Sequence, residues 1–374
     1  MAKELRVGMI GAGLMGKAHS LAMAALPIYF GSQPVQLTRE VVAEIDDDLA
    51  ETARERFGFN RASSDWKAVV DDPGVDVIDI VVPSNLHEAI ATRAFAAGKA
   101  VICEKPLGLD LAQARHLRDA ALEHRALNQV GFNWRFAPAV QLAKRLIDEG
   151  RLGSILSFRG VWLADSGMAA GAEDNWRFSA AVAGSGSLGD LGAHVIDWAR
   201  LLVGEISEVN AISRTYERAS GRRIDVDDDT EFLIEFDGGA HGSIRVSRFS
   251  PGRKNFCGFE IYGEKGSLVF DWERMNEIRF YDGGDPADRV GFRTILTGPD
   301  TPSAEHFWPV AGYGIGYLES KLLQFADFVE ALETGTEPAT TFHDGVVVAQ
   351  VIEAVQRSVL TRRWTSVGID SDSN

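Results

Sequence analysis

The chain has 374 residues, of which 45% are hydrophobic and 25% are charged, and its formal net charge is −16. This composition is typical of a folded globular protein, and the length predicts two or three domains. The acidic balance argues against a nucleic-acid partner, because binding to a phosphate backbone requires a cationic face. The two cysteines provide neither a disulfide framework nor a Cys-x-x-Cys zinc motif, so we expect no metal site.

The sequence also predicts the compartment of the protein. The apolar run near the N-terminus is too short for a signal peptide, and nowhere do about 18 apolar residues follow one another. We therefore expect a cytoplasmic protein without a membrane partner. The polar residues 370–374 predict a frayed tail.

The first third of the chain alternates strand and helix patterns. Strands are predicted at 5–10, 38–44, 75–82 and 100–103, and helices at 15–26, 49–57, 88–97 and 111–124. Residues 27–34, which begin and end with proline, predict an inserted loop. Such an alternation predicts an α/β domain, with a parallel sheet that carries helices on both faces.

Strand patterns dominate after about residue 150. They lie at 155–162, 209–216, 230–236, 242–248, 256–262 and 267–271, with hairpin turns predicted at 238–239 and 264–266. Because no long helix is predicted between these strands, we expect an α+β domain with a large, mostly antiparallel open sheet. Helical patterns return only at 318–332 and 345–360. A sheet with one open face needs a partner, and a second copy of the chain is the expected one, in a homodimer or homotetramer.

A glycine-rich motif marks a candidate cofactor site. The sequence Gly11-Ala-Gly13-Leu14-Met15-Gly16 follows a predicted strand and opens a predicted helix. In this context the first glycine permits a tight turn, the second lets a pyrophosphate approach the backbone, and the third lets helix and strand pack closely. The free N–H groups at the start of the helix would then face the phosphates. The motif predicts a dinucleotide-binding site.

The residue at the end of the second predicted strand indicates which dinucleotide binds. Glu44 lies there, and the insertion at 27–34 accounts for its long distance from the glycines. A carboxylate at this place accepts hydrogen bonds from ribose hydroxyls and repels a 2′-phosphate. No arginine is adjacent to bind such a phosphate, so NAD is favoured over NADP. The alternative is that Glu44 only ends an exposed strand.

Two further segments carry candidate catalytic side chains. Glu104-Lys105-Pro106 directly follows a predicted strand, and strand C-termini in such sheets face the ligand crevice. The alternative for Lys105 is a surface lysine before a turn. Asp190 and His194 follow a glycine-rich stretch at a spacing of four, which places them on one face of a helix. A histidine beside a carboxylate suits acid–base work on a hydroxyl, although a helix cap and a buried core histidine would give the same pattern.

Together these motifs resemble the Gfo/Idh/MocA family, which includes glucose–fructose oxidoreductase and inositol dehydrogenase. The resemblance covers essentially the whole chain and rests on segments 16–20, 83–87, 104–106, 131–135 and 189–194. Segments 156–160, 176–178, 291–294 and 314–317 are especially similar to the branch that contains levoglucosan dehydrogenase. The resemblance implies a Rossmann dinucleotide-binding domain at 1–132 and a domain for substrate binding and oligomerisation at 133–374.

The resemblance also implies roles for individual residues. Lys105 contacts the hydroxyl that is oxidised, Asp190 binds a neighbouring hydroxyl, and His194 is the general acid–base; the bond between Lys105 and Pro106 is cis. The segment around the nicotinamide comprises Pro83, Ser84, Asn85, His87, Glu104 and Lys105. The substrate is bordered by Asn133, Trp134, Arg135, Trp176 and Arg177. For the two tryptophans, core packing is an alternative. The implied activity is NAD-dependent hydride transfer to or from a secondary hydroxyl of a carbohydrate or inositol.

Two other functions use the same motifs. One is a glycoside hydrolase that oxidises a sugar carbon transiently and cleaves the glycosidic bond by elimination, and the other is a non-catalytic NAD-bound sensor. Residues 165–175 are rich in alanine and glycine where members of the levoglucosan dehydrogenase branch carry Asp, Pro and Trp, which leaves the sugar open. The cations Arg245, Arg248, Arg253 and Lys254 are either solvated edge charges or a site for an anionic sugar substituent.

Overall fold

The computed structural model describes residues 3–218 and 220–368. The predicted frayed tail at 370–374 lies outside these residues. Over the described residues, no helix combines the length and the apolar character that crossing a membrane requires. The chain divides into two compact units, of which the first comprises Met1–Asn133 and Gly316–Val346 and the second comprises Trp134–Ile315 and Val347–Asn374. The domain division at 132/133 stays a prediction.

The first unit contains the predicted parallel sheet. Its six strands lie in the order β3-β2-β1-β4-β5-β6, and all the pairings are parallel. The strands are β1 (Lys3–Ile10), β2 (Val35–Ala43), β3 (Arg61–Ser63), β4 (Val77–Ile80), β5 (Ala100–Cys103) and β6 (Asn128–Val130). This order is that of the Rossmann fold, in which the strand order reverses between β1 and β4.

Helices connect these strands. They are α1 (Leu14–Tyr29), α2 (Asp47–Phe57), α3 (Trp66–Asp71), α4 (His87–Ala96) and α5 (Leu111–Glu123). Local chemistry determines several of their ends. The Asp46 carboxylate accepts from the Leu49 N–H and caps α2, which ends at Gly58 with a left-handed φ of 71°. The Asp110 carboxylate caps α5 in the same way.

The loop predicted at 27–34 is wrong in its first half. Helix α1 continues through Pro27 to Tyr29, and β2 begins at Val35, so the connection is only 30–34. Backbone hydrogen bonding continues past the proline, because the Phe30 N–H donates to the Leu26 carbonyl oxygen and closes the last turn. Helix α9 (Tyr317–Thr334), although far away in sequence, also belongs to the first unit and packs against α1.

The second unit contains a nine-stranded sheet in the order β14-β13-β12-β11-β7-β10-β9-β8-β15. Its strands are β7 (Ile155–Leu163), β8 (Ile206–Arg214), β9 (Asp229–Phe236), β10 (His241–Ser247), β11 (Phe256–Gly263), β12 (Gly266–Asp271), β13 (Glu277–Asp282), β14 (Arg293–Leu296) and β15 (Thr365–Ser366). Side chains alternate between buried and exposed along β9, as an antiparallel sheet with one covered face requires. The predicted mostly antiparallel sheet is confirmed.

The sheet is nevertheless mixed, because β7 and β10 pair in parallel. The expectation that no long helix interrupts the strands is wrong at one place. Between β7 and β8 the chain forms α7 (Ala180–Ala183) and α8 (Ala193–Leu202), and α8 packs against β7. The spacing of Asp190 and His194 predicted helical structure at this place, whereas the extent of the helix to Leu202 was not predicted. The remaining α-helices in the described part of the chain are α6 (Pro138–Asp148) and α10 (Phe342–Thr361).

Candidate active site

The glycine-rich turn has the geometry that a dinucleotide needs. Gly11 has a left-handed φ of 95°, and a Cβ there would lie 2.9 Å from the Val81 carbonyl oxygen. A Cβ on Gly16 would lie 2.9 Å from the Gly11 carbonyl oxygen, so helix and turn pack closely. In contrast, a Cβ on Gly13 would meet nothing within 4 Å. The first and third glycines thus serve the fold, whereas Gly13 faces open space at the start of α1.

The start of α1 provides hydrogen-bond donors. Its N-cap is Gly13, whose lack of a side chain leaves the first turn without a side-chain cap, and no acidic residue lies in that turn. Backbone N–H groups at a helix start attract phosphate oxygens, and the helix dipole adds to this attraction. Leu14 is 76% exposed beside these groups, and the Met15 sulfur contacts the Tyr317 hydroxyl at 3.6 Å. The residues present therefore fit a pyrophosphate.

Glu44 lies next to the same turn. Its Oε1 accepts from the Ala12 N–H at 2.7 Å, and its Oε2 accepts from the Ile45 N–H at 3.1 Å. These bonds hold the carboxylate at the carboxyl end of β2, where it can still accept bonds from ribose hydroxyls through its remaining lone pairs. The reading of Glu44 as a mere strand end does not account for its contact with the glycine turn.

The structure places the Glu104–Lys105–Pro106 segment directly after β5, as predicted. The Lys105–Pro106 peptide bond is cis. The Glu104 side chain is buried, and its Oε2 lies 3.3 Å from the Lys105 backbone nitrogen, which donates to it. A Cβ at position 131 would lie 3.0 Å from the Glu104 carboxylate, a tight contact that a small shift of that side chain would have to relieve.

The segment predicted around the nicotinamide lies after β4. Asn85 is exposed, whereas Ser84 and His87 are buried. The two His87 ring nitrogens lie 3.0 Å from the Val82 carbonyl oxygen and 3.1 Å from the Pro106 carbonyl oxygen. Burial lowers the pKa of the His87 imidazole. The buried ring therefore lies between the segments that follow β4 and β5. The sequence pattern did not indicate this position. The role of His87 toward a cofactor stays a prediction.

In the second unit, Asp190 and His194 lie on consecutive helical turns. Residues Leu188–Gly192 form a π-helical turn that leads directly into α8 at Ala193. Such π-turns are rare in proteins as a whole, and those that occur often lie at functional sites. The turn is held by Asp227, whose carboxylate accepts from the Gly186 and Leu188 N–H groups, each at 2.8 Å.

Two arginines surround Asp190. The Arg248 side chain is buried, and its Nη2 donates to Asp190 Oδ2 at 2.9 Å and to the Gly186 carbonyl oxygen at 3.3 Å. Arg177 Nε lies 3.6 Å from Asp190 Oδ1, and its guanidinium lies over the Trp176 ring at 4.4 Å. The Asp190 side chain keeps 25% of its surface exposed. Arg248 thus orients Asp190, and this pairing accounts for the buried arginine without an anionic ligand.

The other three cations of this group are also engaged. Arg245 Nη2 donates to Asp229 Oδ2 at 2.9 Å, Lys254 Nζ donates to Asp165 Oδ2 at 2.7 Å, and the Arg253 guanidinium lies over the Phe256 ring. Each has a partner within the second unit. The contacts therefore favour structural roles for these cations over a site for an anionic sugar substituent.

His194 belongs to an aromatic stack. Its ring lies parallel to that of Trp134, with centroids 5.0 Å apart, and Trp134 stacks in turn on Trp162 and Trp272. His194 is 4% exposed. Stacking on the buried Trp134 indole holds the plane of the imidazole and so limits the orientations open to it. The core-packing reading of Trp134 is thus compatible with a role beside His194.

The remaining predicted substrate residues have different surroundings. Asn133 is buried and donates to the Ser320 hydroxyl at 2.8 Å. Arg135 is buried in a bidentate ion pair with Asp197. This pair anchors α8, because Asp197 lies one turn beyond His194. The sequence pattern did not indicate Asp227 or Asp197 as site residues, and for Arg248 it left an edge charge and an anion site as alternatives. Asp227 and Arg248 are distant from Asp190 in sequence, whereas Asp197 lies three positions after His194.

The glycine geometry leads to a matched pair of predictions. We expect Gly13→Ala to leave the melting temperature near that of the wild type, because the Cβ enters open space, and to weaken dinucleotide binding by about tenfold or more. Gly11→Ala should instead lower the melting temperature, since it combines a positive φ with a clash. Thermal unfolding and NADH titration by calorimetry test both variants. Gly13→Ala that binds NADH as tightly as the wild type would contradict the assigned role.

Comparisons with known proteins extend these observations. Residues 5–132 match the model of the oxidoreductase family with an NAD-binding Rossmann fold, and residues 140–269 match the GFO/IDH/MocA C-terminal domain. The chain is 43% identical to levoglucosan dehydrogenase of Pseudarthrobacter phenanthrenivorans over 98% of both proteins. It is 28% identical to scyllo-inositol 2-dehydrogenase (NAD⁺) of Bacillus subtilis over 94% of this chain and 93% of the relative.

A comparison with a solved structure also shows similarity to levoglucosan dehydrogenase. Levoglucosan dehydrogenase in complex with NADH and levoglucosan superposes with a TM-score of 0.96 at 44% identity, over 98% of this chain and 100% of the other. The resemblance noted from the motifs, including the levoglucosan dehydrogenase branch, is therefore confirmed. The first unit contains an NAD-binding Rossmann domain, and the chain belongs to the Gfo/Idh/MocA family of oxidoreductases.

Proposed function

We propose that the chain is an NAD-dependent dehydrogenase that acts on a secondary hydroxyl of a sugar, anhydrosugar, glycoside or inositol. The observation that carries the proposal is its similarity, over nearly its whole length, to proteins named as sugar and inositol dehydrogenases. The division into a dinucleotide-binding domain at 1–132 and a substrate domain at 133–374, in a cytoplasmic enzyme, is part of this proposal.

The proposed mechanism assigns a task to each motif side chain. NAD, when bound, supplies a nicotinamide that accepts a hydride from the substrate carbon. His194 takes the hydroxyl proton, and the Lys105 ammonium stabilises the negative charge that develops on the oxygen. Asp190, oriented by Arg248 at 2.9 Å, accepts a hydrogen bond from a neighbouring hydroxyl. In the reverse direction, His194 returns the proton to the ketone oxygen.

Other residues bind and orient. We assign cofactor binding to the following residues: Gly11, Gly13, Leu14, Met15, Gly16, Glu44, Pro83, Ser84, Asn85, His87, Glu104 and Lys105. The edge of the substrate is assigned to Asn133, Arg135, Trp176 and Arg177. Trp176 and Arg177 are the most suitable of these for direct contact, because they are only partly buried and Arg177 is preorganised on the Trp176 ring.

A substrate panel tests the proposal. We expect purified protein with NAD to produce NADH on addition of at least one compound among levoglucosan, scyllo-inositol, myo-inositol and glucose, measured by absorbance. Nitrophenyl glycosides in the same panel report bond cleavage. Release of nitrophenol without net NADH would support the hydrolase alternative, for which the dehydrogenases named above offer no support. Tight NADH binding with no turnover of any compound would contradict the proposal and favour the sensor.

The catalytic assignment predicts specific losses. Lys105→Ala and His194→Ala should each lower kcat by about 10²–10⁴-fold, because one positioned acid–base or charged group contributes this much. NAD affinity should change several-fold at most, since neither group is needed for the glycine turn. His124→Ala, at an exposed position directly after α5, is the control and should retain wild-type kcat. A folded His194→Ala enzyme with more than about a tenth of wild-type kcat would refute the acid–base role.

We also propose that the open face of the nine-stranded sheet mediates a homodimer or homotetramer. On this face Ile212 is 60% exposed and Leu233 is 52% exposed, on the adjacent strands β8 and β9. Light scattering should give a multiple of the 40.7 kDa chain mass. Ile212→Asp combined with Leu233→Asp should lower this mass, whereas Leu122→Asp, at a 65% exposed position on α5, should not. A wild-type monomer at micromolar concentration would contradict the assembly.

A further inference from the structure

We propose that Lys321 on α9 and His19 on α1 are positioning residues that hold the Glu104 carboxylate and, through it, the backbone of Lys105. The proposal deepens the proposed function, because it depends on Lys105 acting on the substrate. Neither residue belongs to the motif that carries Lys105, and Lys321 lies 217 positions from Glu104 in sequence.

The contacts form a closed, buried cluster. Lys321 Nζ donates to Glu104 Oε1, and it also lies 3.2 Å from Gln324 Oε1. His19 Nε2 lies 3.0 Å from the same Glu104 Oε1, and its Nδ1 lies 2.9 Å from Asp79 Oδ1. His19, Asp79 and Lys321 are 0% exposed and Glu104 is 6% exposed. One carboxylate oxygen of Glu104 is thus held by two side chains, which leaves Oε2 to accept the Lys105 N–H.

The cluster pairs two acidic side chains with two basic ones. Asp79 and Glu104 both face His19, and Glu104 also faces Lys321. Burial alone would lower the pKa of the His19 imidazole, but Asp79 and the bond to Glu104 outweigh burial and the charge of Lys321, so that pKa is raised. Burial alone would raise the pKa of Glu104, but Lys321 and His19 hold it well below its usual value. Removal of either basic side chain therefore leaves the buried Glu104 carboxylate with one stabilising partner fewer.

Helix α9 connects this cluster to two other predicted site segments. Its Tyr317 hydroxyl contacts the Met15 sulfur after the glycine turn, and its Ser320 hydroxyl accepts from Asn133. Lys321 follows directly. Within the first unit, the same helix thus contacts the turn assigned to the cofactor, the Glu104–Lys105 segment and Asn133. We would expect this arrangement of an element that sets the position of Lys105. The buried Lys321 is tolerated because its Nζ donates to Glu104 and lies near the Gln324 side-chain oxygen.

The test compares two buried lysines in the first unit. Lys321→Met should lower kcat by about 10- to 100-fold with KM and NADH affinity changed little, because a small displacement of a positioned group is costly in rate. Lys99→Met is the control: Lys99 is 6% exposed and donates to the Asp72 and Val75 carbonyl oxygens, away from Glu104. We expect Lys99→Met to lose stability while it retains wild-type kcat. If Lys321→Met does not fold, His19→Gln, which keeps a polar side chain, should show the same pattern in weaker form.

Two further readouts separate positioning from stability alone. In a double-mutant cycle, the effect of Lys321→Met on kcat should largely disappear in a Lys105→Ala background, because it acts through Lys105. Independently of turnover, hydrogen exchange at residues 104–109 should become faster in Lys321→Met and stay unchanged in Lys99→Met. If no compound of the substrate panel is turned over, hydrogen exchange at residues 104–109 still tests whether Lys321 positions Lys105. If turnover is found but Lys321→Met retains wild-type kcat and wild-type hydrogen exchange, the positioning role of Lys321 is overturned and the proposed function stands.

The cluster also predicts a pH dependence. Because the pKa of His19 is raised on folding, its contribution to stability is complete below 6.5, the ordinary histidine value, and is lost as pH rises through the folded pKa. The groups that face it are Asp79 from β4, Glu104 after β5 and Lys321 from α9. The melting temperature of the wild type relative to His19→Gln should therefore decrease as pH rises above about 6.5. A difference that stays constant or increases with pH would show that Asp79 and Glu104 do not hold His19 in its charged form, which would overturn its part in the cluster.

Discussion

The ion pair between Lys321 and Glu104 is the interaction on which the candidate site in the first unit most depends. Transfer of either charge from water into the protein interior costs several kcal/mol, and only a partner with good geometry offsets that cost. The pair forms because α9 packs against α1 and so brings Lys321 to the carboxylate that follows β5. The packing itself is largely apolar, since Leu322, Phe325 and Phe328 of α9 are buried.

The same principle operates in the second unit. Asp190 and Asp197 lie about two helical turns apart, and each is paired with a buried arginine, Arg248 and Arg135 respectively. Asp227 holds the backbone before the π-turn through two N–H groups. Each carboxylate determines the position of a segment and not only of a side chain. The motif that looks like a glycine-rich loop in the sequence is thus a rigid turn that holds His194 against the Trp134 ring.

Glycine has two distinct roles in this protein, and the distinction follows from what surrounds the missing Cβ. At Gly11 and Gly16 the space is already filled by the backbone of the chain itself, so these glycines are required by packing. At Gly13 the space is open, and the fold gives no reason for glycine there. A position that is free in the folded chain but occupied by glycine in a dinucleotide motif is best explained by the approach of a ligand to the backbone.

The sequence by itself determined the parallel sheet of the first unit, the glycine turn, Glu44, and the segments that carry Lys105, Asp190 and His194. Each of these depends on local order: hydrophobic periodicity, turn residues and the carboxyl ends of strands lie close together in the chain. Only the tertiary structure decided the partners of the buried charges, the parallel pairing of β7 with β10, and the place of α9. His19, Asp79, Arg248 and Lys321 look like ordinary polar residues in the sequence. Their importance comes from burial, and burial depends on which distant segments pack together, which no local pattern records.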